Sequence, residues 1–230
     1  MISCAARTRT GPRHEENQDR VATDPGQGTF IVVDGMGGLA DAAATAQLVV
    51  DQFPRLVRES VPVLAAPDVV DAVGEAAAAV SERVRAGARS GPGTTGAATA
   101  LLLIRDGAAL VVHVGDSRIY LARDGKLERL TEDHAENGQL TRFVGMNGAI
   151  VPGVAVRELR SGDRILLCTD GLTGSVDDRA LADLLHSSSE VDGACGRLVE
   201  AAAAGGAADD VSLIAVDYVG GRCGGAATSG

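Results

Sequence analysis

Apolar residues recur along this chain with two different periods, which predicts a mixture of helices and strands. Steps of three and four residues link Ala42 to Val57 and Val69 to Val84, and each set predicts an amphipathic helix. Two later helices are predicted at residues 177–186 and 191–204. Apolar and β-branched runs predict strands at residues 30–33, 99–105, 108–114, 118–123, 126–131, 163–169 and 211–218.

The turns between these segments indicate how the strands pair. Asp106-Gly107 and Asp124-Gly125 each lie between two apolar runs, as in tight hairpins, so the strands from residue 99 to residue 131 form an antiparallel meander. The helices come in pairs between blocks of strands and do not alternate with single strands. This order favours an α+β fold, with antiparallel sheets covered by helical pairs, over a doubly wound parallel sheet.

Composition narrows the class of protein. With 230 residues and 45% hydrophobic content, we expect a single domain over residues 1–219 and a disordered, glycine-rich tail at 220–230. The net charge is −10 and Lys126 is the one lysine among 21 basic residues, so a nucleic-acid partner is not expected. No apolar stretch reaches the ~18 residues of a membrane span, and no signal segment is recognisable. The scattered cysteines fit a reducing environment, so we expect a cytoplasmic protein without membrane contact.

Four aspartates lie at the ends of apolar strand-like runs. Asp34, Asp116 and Asp170 follow such runs, and Asp209 precedes one. Carboxylates fixed at strand ends are suitable ligands for hard divalent cations such as Mg²⁺ and Mn²⁺. An Asp-Gly pair is a turn by default, and the residues alone leave Asp116 open between turn capping and ligation, and Asp209 between ligation and a strand start. Convergence of these carboxylates in space would itself imply a bound cation, because they repel one another.

Eight short motifs carry a family resemblance. In order they are Arg13-x-x-x-Asn17-Gln18-Asp19, Val33-Asp34-Gly35-Met36-Gly37-Gly38, Gly93-Thr94-Thr95-Gly96-Ala97, Gly115-Asp116-Ser117-Arg118, Leu130-Thr131-Glu132-Asp133-His134, Leu140-Thr141-Arg142-x-x-Gly145, Leu167-Cys168-Thr169-Asp170-Gly171-Leu172 and Asp209-Asp210-Val211-Ser212. With these motifs the chain resembles a bacterial member of the metal-dependent protein serine/threonine phosphatases of type 2C, the PPM family. The resemblance implies a four-layer α-β-β-α sandwich, with two antiparallel sheets flanked by helical pairs.

The resemblance also implies a binuclear Mg²⁺ or Mn²⁺ centre bridged by the Asp34 carboxylate. Asp170 and Asp209 would complete the ligands of the first ion. The Gly35 carbonyl and a water held by Asp19 would serve the second ion. In such a centre, two cations about 4 Å apart activate a water that attacks the phosphorus atom of a phosphate monoester.

Two further roles follow from the same resemblance. Bacterial relatives bind a third, weaker ion through the aspartate that matches Asp116, together with Asp170. The arginine that matches Arg13 binds the substrate phosphate, and a guanidinium can meet two phosphoryl oxygens at once. The implied catalytic residues are therefore Arg13, Asp34 and Asp170.

The chain departs from the family pattern at several positions. Bacterial relatives usually carry a histidine at the position of Leu39 and a Gly-Glu pair at Ala42-Ala43, and eukaryotic relatives place a candidate general-acid histidine at Met36. His134 is as well suited to orienting a turn as to catalysis. Only residues 135–139 lie between His134 and Leu140, where bacterial relatives insert a mobile flap of about twenty or more residues. We therefore expect an open site with weak selectivity for sequence.

Three classes of function fit the sequence. The leading one is a monomeric phosphatase that acts on phosphoserine and phosphothreonine in proteins and opposes a kinase of the same cell. The second is a pseudo-phosphatase or regulatory binding module with the same fold, which the changes at Met36, Leu39 and Ala43 and the short flap suggest. The third is a hydrolase of small phosphate esters, which an open site would admit. No residue distinguishes the first class from the third.

Overall fold

The computed structural model of the protein describes residues 1–37, 39–88 and 95–220. The predicted tail from residue 221 onwards, and part of the motif that begins at Gly93, lie outside the described residues. The strands are β1 (Ile2–Arg9), β2 (Asp19–Asp24), β3 (Thr29–Met36), β4 (Gly96–Arg105), β5 (Ala108–Val114), β6 (Arg118–Arg123), β7 (Lys126–Arg129), β8 (Ala135–Glu136), β9 (Gln139–Leu140), β10 (Gly153–Glu158), β11 (Asp163–Cys168) and β12 (Val211–Tyr218). The helices are α1 (Leu39–Ser60), α2 (Val69–Gly87), α3 (Asp170–Thr173), α4 (Asp178–His186) and α5 (Val191–Ala204).

The strands form two five-stranded sheets in which every neighbouring pair is antiparallel. One sheet has the order β1-β12-β11-β6-β7 and the other has the order β10-β5-β4-β3-β2. Asp106 and Asp124 adopt positive φ angles of 52° and 51°, and each is followed by a positive-φ glycine. Both pairs therefore make the tight hairpin turns that the sequence predicts. A separate small hairpin pairs β8 with β9.

Alternation of side chains along the strands produces three apolar layers. In β3, Phe30 and Val32 pack between the two sheets, whereas Ile31 and Val33 pack against α1 and α2. The opposite sheet follows the same rule, because alternate residues of β11 and β12, from Leu166 to Cys168 and from Val211 to Ala215, pack in the layer under α3, α4 and α5. The result is a four-layer α-β-β-α sandwich, and the predicted fold class is confirmed. Among the described helices, none is long and apolar enough to span a bilayer.

Most of the predicted elements are present, and the missed strands share a physical feature. Apart from the two-residue strands β8 and β9, the strands that were not predicted are β1, β2 and β10, and all three lie at sheet edges, where they are only partly buried and lack a continuous apolar run. The segment between Leu140 and Asp163, where no element was predicted, therefore contains a strand. The strand predicted at residues 126–131 ends at Arg129, because the Thr131 side chain accepts a hydrogen bond from the Ile119 N–H instead of continuing the ladder.

Candidate metal centre

Strands β2 and β3 bring the first two aspartates together. Asp19 opens β2 and lies directly opposite Asp34 in the antiparallel register with β3. Side chains at directly opposed positions share one face of the sheet, about 5 Å apart. The Asp19 N–H donates to Asn17 Oδ1 at 2.8 Å, and Asp19 Oδ2 accepts from Thr169 Oγ1 at 3.0 Å. The second of these bonds joins the two sheets at the acidic end of the sandwich.

The end of β11 and the start of β12 supply two more aspartates, Asp170 and Asp209. Thr169 N donates to Ser212 O at 3.0 Å, and Ser212 N donates to Thr169 Oγ1 at 3.1 Å, so the two segments lie side by side. A Cβ on Gly171 would lie 2.0 Å from the backbone oxygen of the residue after Asp209. Only glycine fits at this position, which explains the Asp-Gly pair at the end of β11.

The aspartates are close enough to act on one another electrostatically. The pKa of Asp34 is raised well above its ordinary value, first by burial and then by the negative charges of Asp19, Asp170, Asp209 and Asp116. These carboxylates come from four separate places in the chain. The structure therefore brings together all five aspartates that were singled out from the sequence and the family resemblance.

The electrostatic state of this cluster fits a bound cation. The pKa of Asp19 is raised to about 7, mainly by burial and then by the charges of Asp210 and Asp170, and that of Asp116 is raised to about 6, by burial and then by Asp170. The pKa of Asp170 is also raised, by burial and then by Asp209. Within the described chain, Asp170 Oδ1 is a buried oxygen without a hydrogen-bond partner. Clustered carboxylate oxygens of this kind are the donor set that Mg²⁺ and Mn²⁺ prefer.

The backbone at Gly35 lies beside the cluster in a tight space between β3 and α1. A Cβ at this position would lie 2.3 Å from the Ala42 carbonyl oxygen and 2.8 Å from the Gln18 carbonyl oxygen. Any larger residue would push α1 away from the sheet. Gly35 therefore has a packing reason to be glycine, independent of any role for its own carbonyl.

Asp116 lies on a tight turn after β5 that two histidines support. Gly115 has a φ of 100°, and its N–H and carbonyl bond to His134 Nδ1 and His134 N at 3.3 and 2.9 Å. The His134 ring stacks on His113 with centroids 4.5 Å apart. Burial, His113 and Arg142 lower the pKa of His134 to about 4, so this ring is neutral at pH 7. Its contacts are those of a residue that orients the turn.

Arg13 lies on the loop between β1 and β2, and the neighbouring His14 places this loop against the start of β12. His14 Nδ1 is 3.6 Å from Asp209 Oδ1 and 3.0 Å from Asp210 Oδ2. Arg13 itself is exposed and makes no hydrogen bond or ion pair with the described residues. Its guanidinium therefore has no partner of its own among the described residues.

Asp210 is the residue that sequence reasoning missed. It is 2% exposed, whereas the neighbouring Asp209 is 56% exposed on its side chain. The buried carboxylate accepts hydrogen bonds from the backbone N–H groups of Gly11 and Gln18. The sequence offered one signal, a second aspartate directly before an apolar strand, but this signal does not tell which carboxylate of the pair is buried.

The segment at residues 135–139 forms the small hairpin of β8 and β9. Asn137 and Gly138 occupy its turn with φ angles of 51° and 75°, and Thr141 N donates to His134 O at 2.8 Å. The hairpin is therefore a tight turn in place of a long flap. At the end of β3, the Met36 carbonyl accepts from Thr95 Oγ1 at 3.0 Å, a contact that does not involve the Met36 side chain.

Two stacked antiparallel sheets between helical layers, with an acidic cluster at one end, define the class of α-β-β-α sandwich proteins. A family model for protein phosphatase 2C matches residues 10–202. The serine/threonine protein phosphatase PstP of Mycobacterium tuberculosis is 33% identical over 240 residues, which cover 95% of this chain and 45% of PstP. The chain therefore spans less than half the length of that relative.

Two solved structures share the fold over nearly the whole chain. PppA, a regulatory component of the T6SS in Pseudomonas aeruginosa, has a TM-score of 0.82 and 31% identity over 94% of this chain and 97% of PppA. The catalytic domain of PstP in complex with two manganese ions has a TM-score of 0.79 and 30% identity over 95% of this chain and 99% of that domain. The chain belongs to the protein phosphatase 2C family.

Proposed function

We propose that the protein is a Mn²⁺- or Mg²⁺-dependent phosphatase that hydrolyses phosphoserine and phosphothreonine in proteins. The observation that carries this proposal is the convergence of five aspartates around Asp34, whose pKa is raised by burial and by the negative charges of the other four. The two manganese ions in the related PstP catalytic domain support the choice of metal.

In this proposal Asp34, Asp170 and Asp209 would hold one ion. Asp34, the Gly35 carbonyl and Asp19, the last through a water, would hold the second ion. Asp19 is well suited to hold a water, because its neighbours Asn17 and Thr169 fix its position. A third ion would use Asp116 together with Asp170. When bound, the ions supply positive charge that activates water and stabilises the charge developing on the phosphoryl group.

Binding of the phosphate and protonation of the leaving group concern groups around the cluster. Arg13 binds two phosphoryl oxygens and orients the phosphorus toward the cluster, because a guanidinium donates in a planar fork. His134 is neutral and holds the turn of Asp116, so it is not the proton donor to the leaving group. No histidine is assigned to that step, which leaves the donation to water.

The substrate class follows from the openness of the site. The hairpin at residues 135–139 is short, so we expect the site to be open enough for a folded protein carrying a phosphorylated serine or threonine to approach it. We place the protein in the cytoplasm as a monomer that opposes a protein kinase. The free thiols of Cys4, Cys168 and Cys195 support a reducing compartment.

A substrate panel with metal titration tests this function. A phosphothreonine peptide, a nucleotide monophosphate, a sugar phosphate and an aryl phosphate are assayed with Mn²⁺ and with chelator. We expect hydrolysis of the peptide and the aryl phosphate only in the presence of metal. Full activity after exhaustive chelation would exclude the mechanism. Preference for a small ester would favour a metabolite hydrolase, and absence of turnover would favour a regulatory module.

A matched pair of variants tests the site. Asp34→Asn keeps the size of the side chain but removes the charge that holds both ions, so activity should fall by several orders of magnitude. Asp124→Asn changes the same group at a hairpin turn remote from the cluster and should leave activity unchanged. Similar losses in the two variants would refute the assignment of the cluster.

A further inference from the structure

The Asp210 carboxylate is buried and uses both of its oxygens in hydrogen bonds with one loop. Oδ1 accepts from Gly11 N at 2.8 Å, and Oδ2 accepts from Gln18 N at 2.6 Å. His14 Nδ1 is 3.0 Å from the same Oδ2. Charge-assisted bonds from backbone N–H groups to a carboxylate are stronger than ordinary amide bonds, so this carboxylate is a firm anchor.

The two hydrogen-bond donors to Asp210 and the nearby His14 bracket Arg13 in the sequence. Gly11 precedes it by two residues, His14 follows it directly, and Gln18 closes the loop at the start of β2. The loop also contacts the strand start through its backbone, because a Cβ on Gly11 would lie 2.4 Å from the carbonyl carbon of Asp209. Since the Arg13 side chain has no anchor of its own among the described residues, the conformation of this loop decides where its guanidinium points.

Asp210 is also one residue from Asp209, whose Oδ1 accepts from Asp210 N at 2.8 Å. The same short segment therefore carries a proposed metal ligand and the anchor of the loop that holds the proposed phosphate-binding arginine. A fixed distance between the cation site and the arginine is what a phosphoryl group needs if it is to contact both.

We infer that Asp210 is a positioning residue for Arg13, which holds the loop of residues 11–18 so that the guanidinium meets the phosphate beside the metal cluster. This inference rests on the proposed phosphatase function. His14, Asp209 and Asp210 lie close enough together to suggest a metal site of their own. Both Asp210 oxygens are already used by backbone N–H groups, so we assign this carboxylate to the loop and not to an ion.

Asp210→Asn is the critical variant. An asparagine keeps one acceptor oxygen but turns an NH₂ group toward one of the two backbone donors, so one anchor bond is lost and one N–H faces another donor. Asp163→Asn is the matched control, because Asp163 is 1% exposed, binds Arg123 and accepts from the Arg160 N–H at 2.7 Å. Asp163 lies at the opposite end of β11 from the cluster. The Asp163→Asn variant therefore shows the general effect of removing a buried carboxylate.

Steady-state kinetics on a phosphothreonine peptide at saturating Mn²⁺ measure the effect. We expect Asp210→Asn to raise KM about tenfold with kcat changed less than threefold, and Asp163→Asn to leave both unchanged although it is also destabilised. In an Arg13→Ala background, Asp210→Asn should change KM less than twofold, because the residue through which it acts is absent. Equal effects of Asp210→Asn in both backgrounds, or an equal effect of Asp163→Asn, would overturn the inference.

Two further readouts separate this role from its alternatives. Hydrogen exchange of the segment 11–18 should be about tenfold faster in Asp210→Asn than in the wild type, and unchanged exchange would overturn the inference even if no phosphatase activity is found. The Mn²⁺ concentration for half-maximal activity should stay within twofold. A large rise would show that Asp210 acts on the metal ligand Asp209 and not on Arg13. If the wild-type protein hydrolyses none of the phosphate esters, the proposed function itself is refuted.

Discussion

Removing the charge of Asp19 should stabilise the metal-free protein. The pKa of this buried side chain is raised from 3.8 to about 7, mainly by burial. Between these two values the folded protein keeps a proton that the unfolded chain has lost, so the free energy of unfolding falls as pH rises. At ~1.4 kcal/mol per pH unit, the raised pKa lowers stability by about 4 kcal/mol at pH 7.5 and by about 2 kcal/mol at pH 5.5, relative to a side chain that is neutral in both states.

Asp19→Asn removes this penalty and keeps an acceptor oxygen for the Thr169 hydroxyl. In EDTA, the variant should therefore be more stable than the wild type by up to about 4 kcal/mol at pH 7.5, and this advantage should shrink to about 2 kcal/mol at pH 5.5. The lowered pKa values of His113 and His134 also make stability depend on pH, but they affect both proteins and cancel in the difference.

Urea unfolding at pH 7.5, 6.5 and 5.5 measures these differences. Asp163→Asn is the control and should lose stability at each pH, because its carboxylate is paired with Arg123. With Mn²⁺ at about 100 times its Kd, the wild type should gain about 2.7 kcal/mol and Asp19→Asn less. An asparagine variant that is no more stable than the wild type at pH 7.5, or an advantage independent of pH, would refute the reasoning.

Three other predictions concern the phosphate site, the hairpin and one glycine. Arg13→Ala should raise KM and lower kcat/KM for a phosphopeptide, because the guanidinium contacts oxygens in both the ground and transition states; an unchanged KM would make Arg13 a surface residue. Rates on phosphothreonine peptides with varied flanking residues should lie within about tenfold at fixed Mn²⁺, and a thousandfold preference would reveal a groove that reads sequence. Gly115→Ala should lose about 3 kcal/mol in urea unfolding, since its Cβ would lie 2.5 Å from Ala98 Cβ, whereas Gly125→Ala, with open space around it, should lose about 1 kcal/mol. Equal losses would show that the contact with Ala98 is unimportant.

The sequence predicts the interior of this fold better than its edges. Buried strands such as β4 and β11 consist mostly of consecutive apolar residues, because both of their faces are covered. Edge strands have one exposed face and irregular patterns, and β10 shows no fully buried residue. Its pairing with β5 depends on residues forty to fifty positions away, which no local pattern reveals.

In the candidate site, too, the sequence identifies some residues and not others. Asp34 and Asp170 could be singled out because each ends an apolar run and is followed by glycine. Asp19 ends no such run, and it was identified only through the family motif; its register opposite Asp34 gives the physical reason for its place. Asp209 and Asp210 are chemically identical neighbours, and only the tertiary contacts with Gly11 and Gln18 distinguish the buried one.

The position of β12 has a consequence for the order of folding. This strand lies between β1 and β11, so its pairing with β1 joins residues about two hundred positions apart. Contacts of such long sequence separation slow folding, because the intervening chain must be ordered before they form. Asp34 lies on a sheet whose strands are all complete by residue 158, whereas Asp209 comes into place only when β12 docks. In a partly folded chain the carboxylate cluster is therefore incomplete. Tight binding of metal should occur late in folding, after the native sandwich has formed.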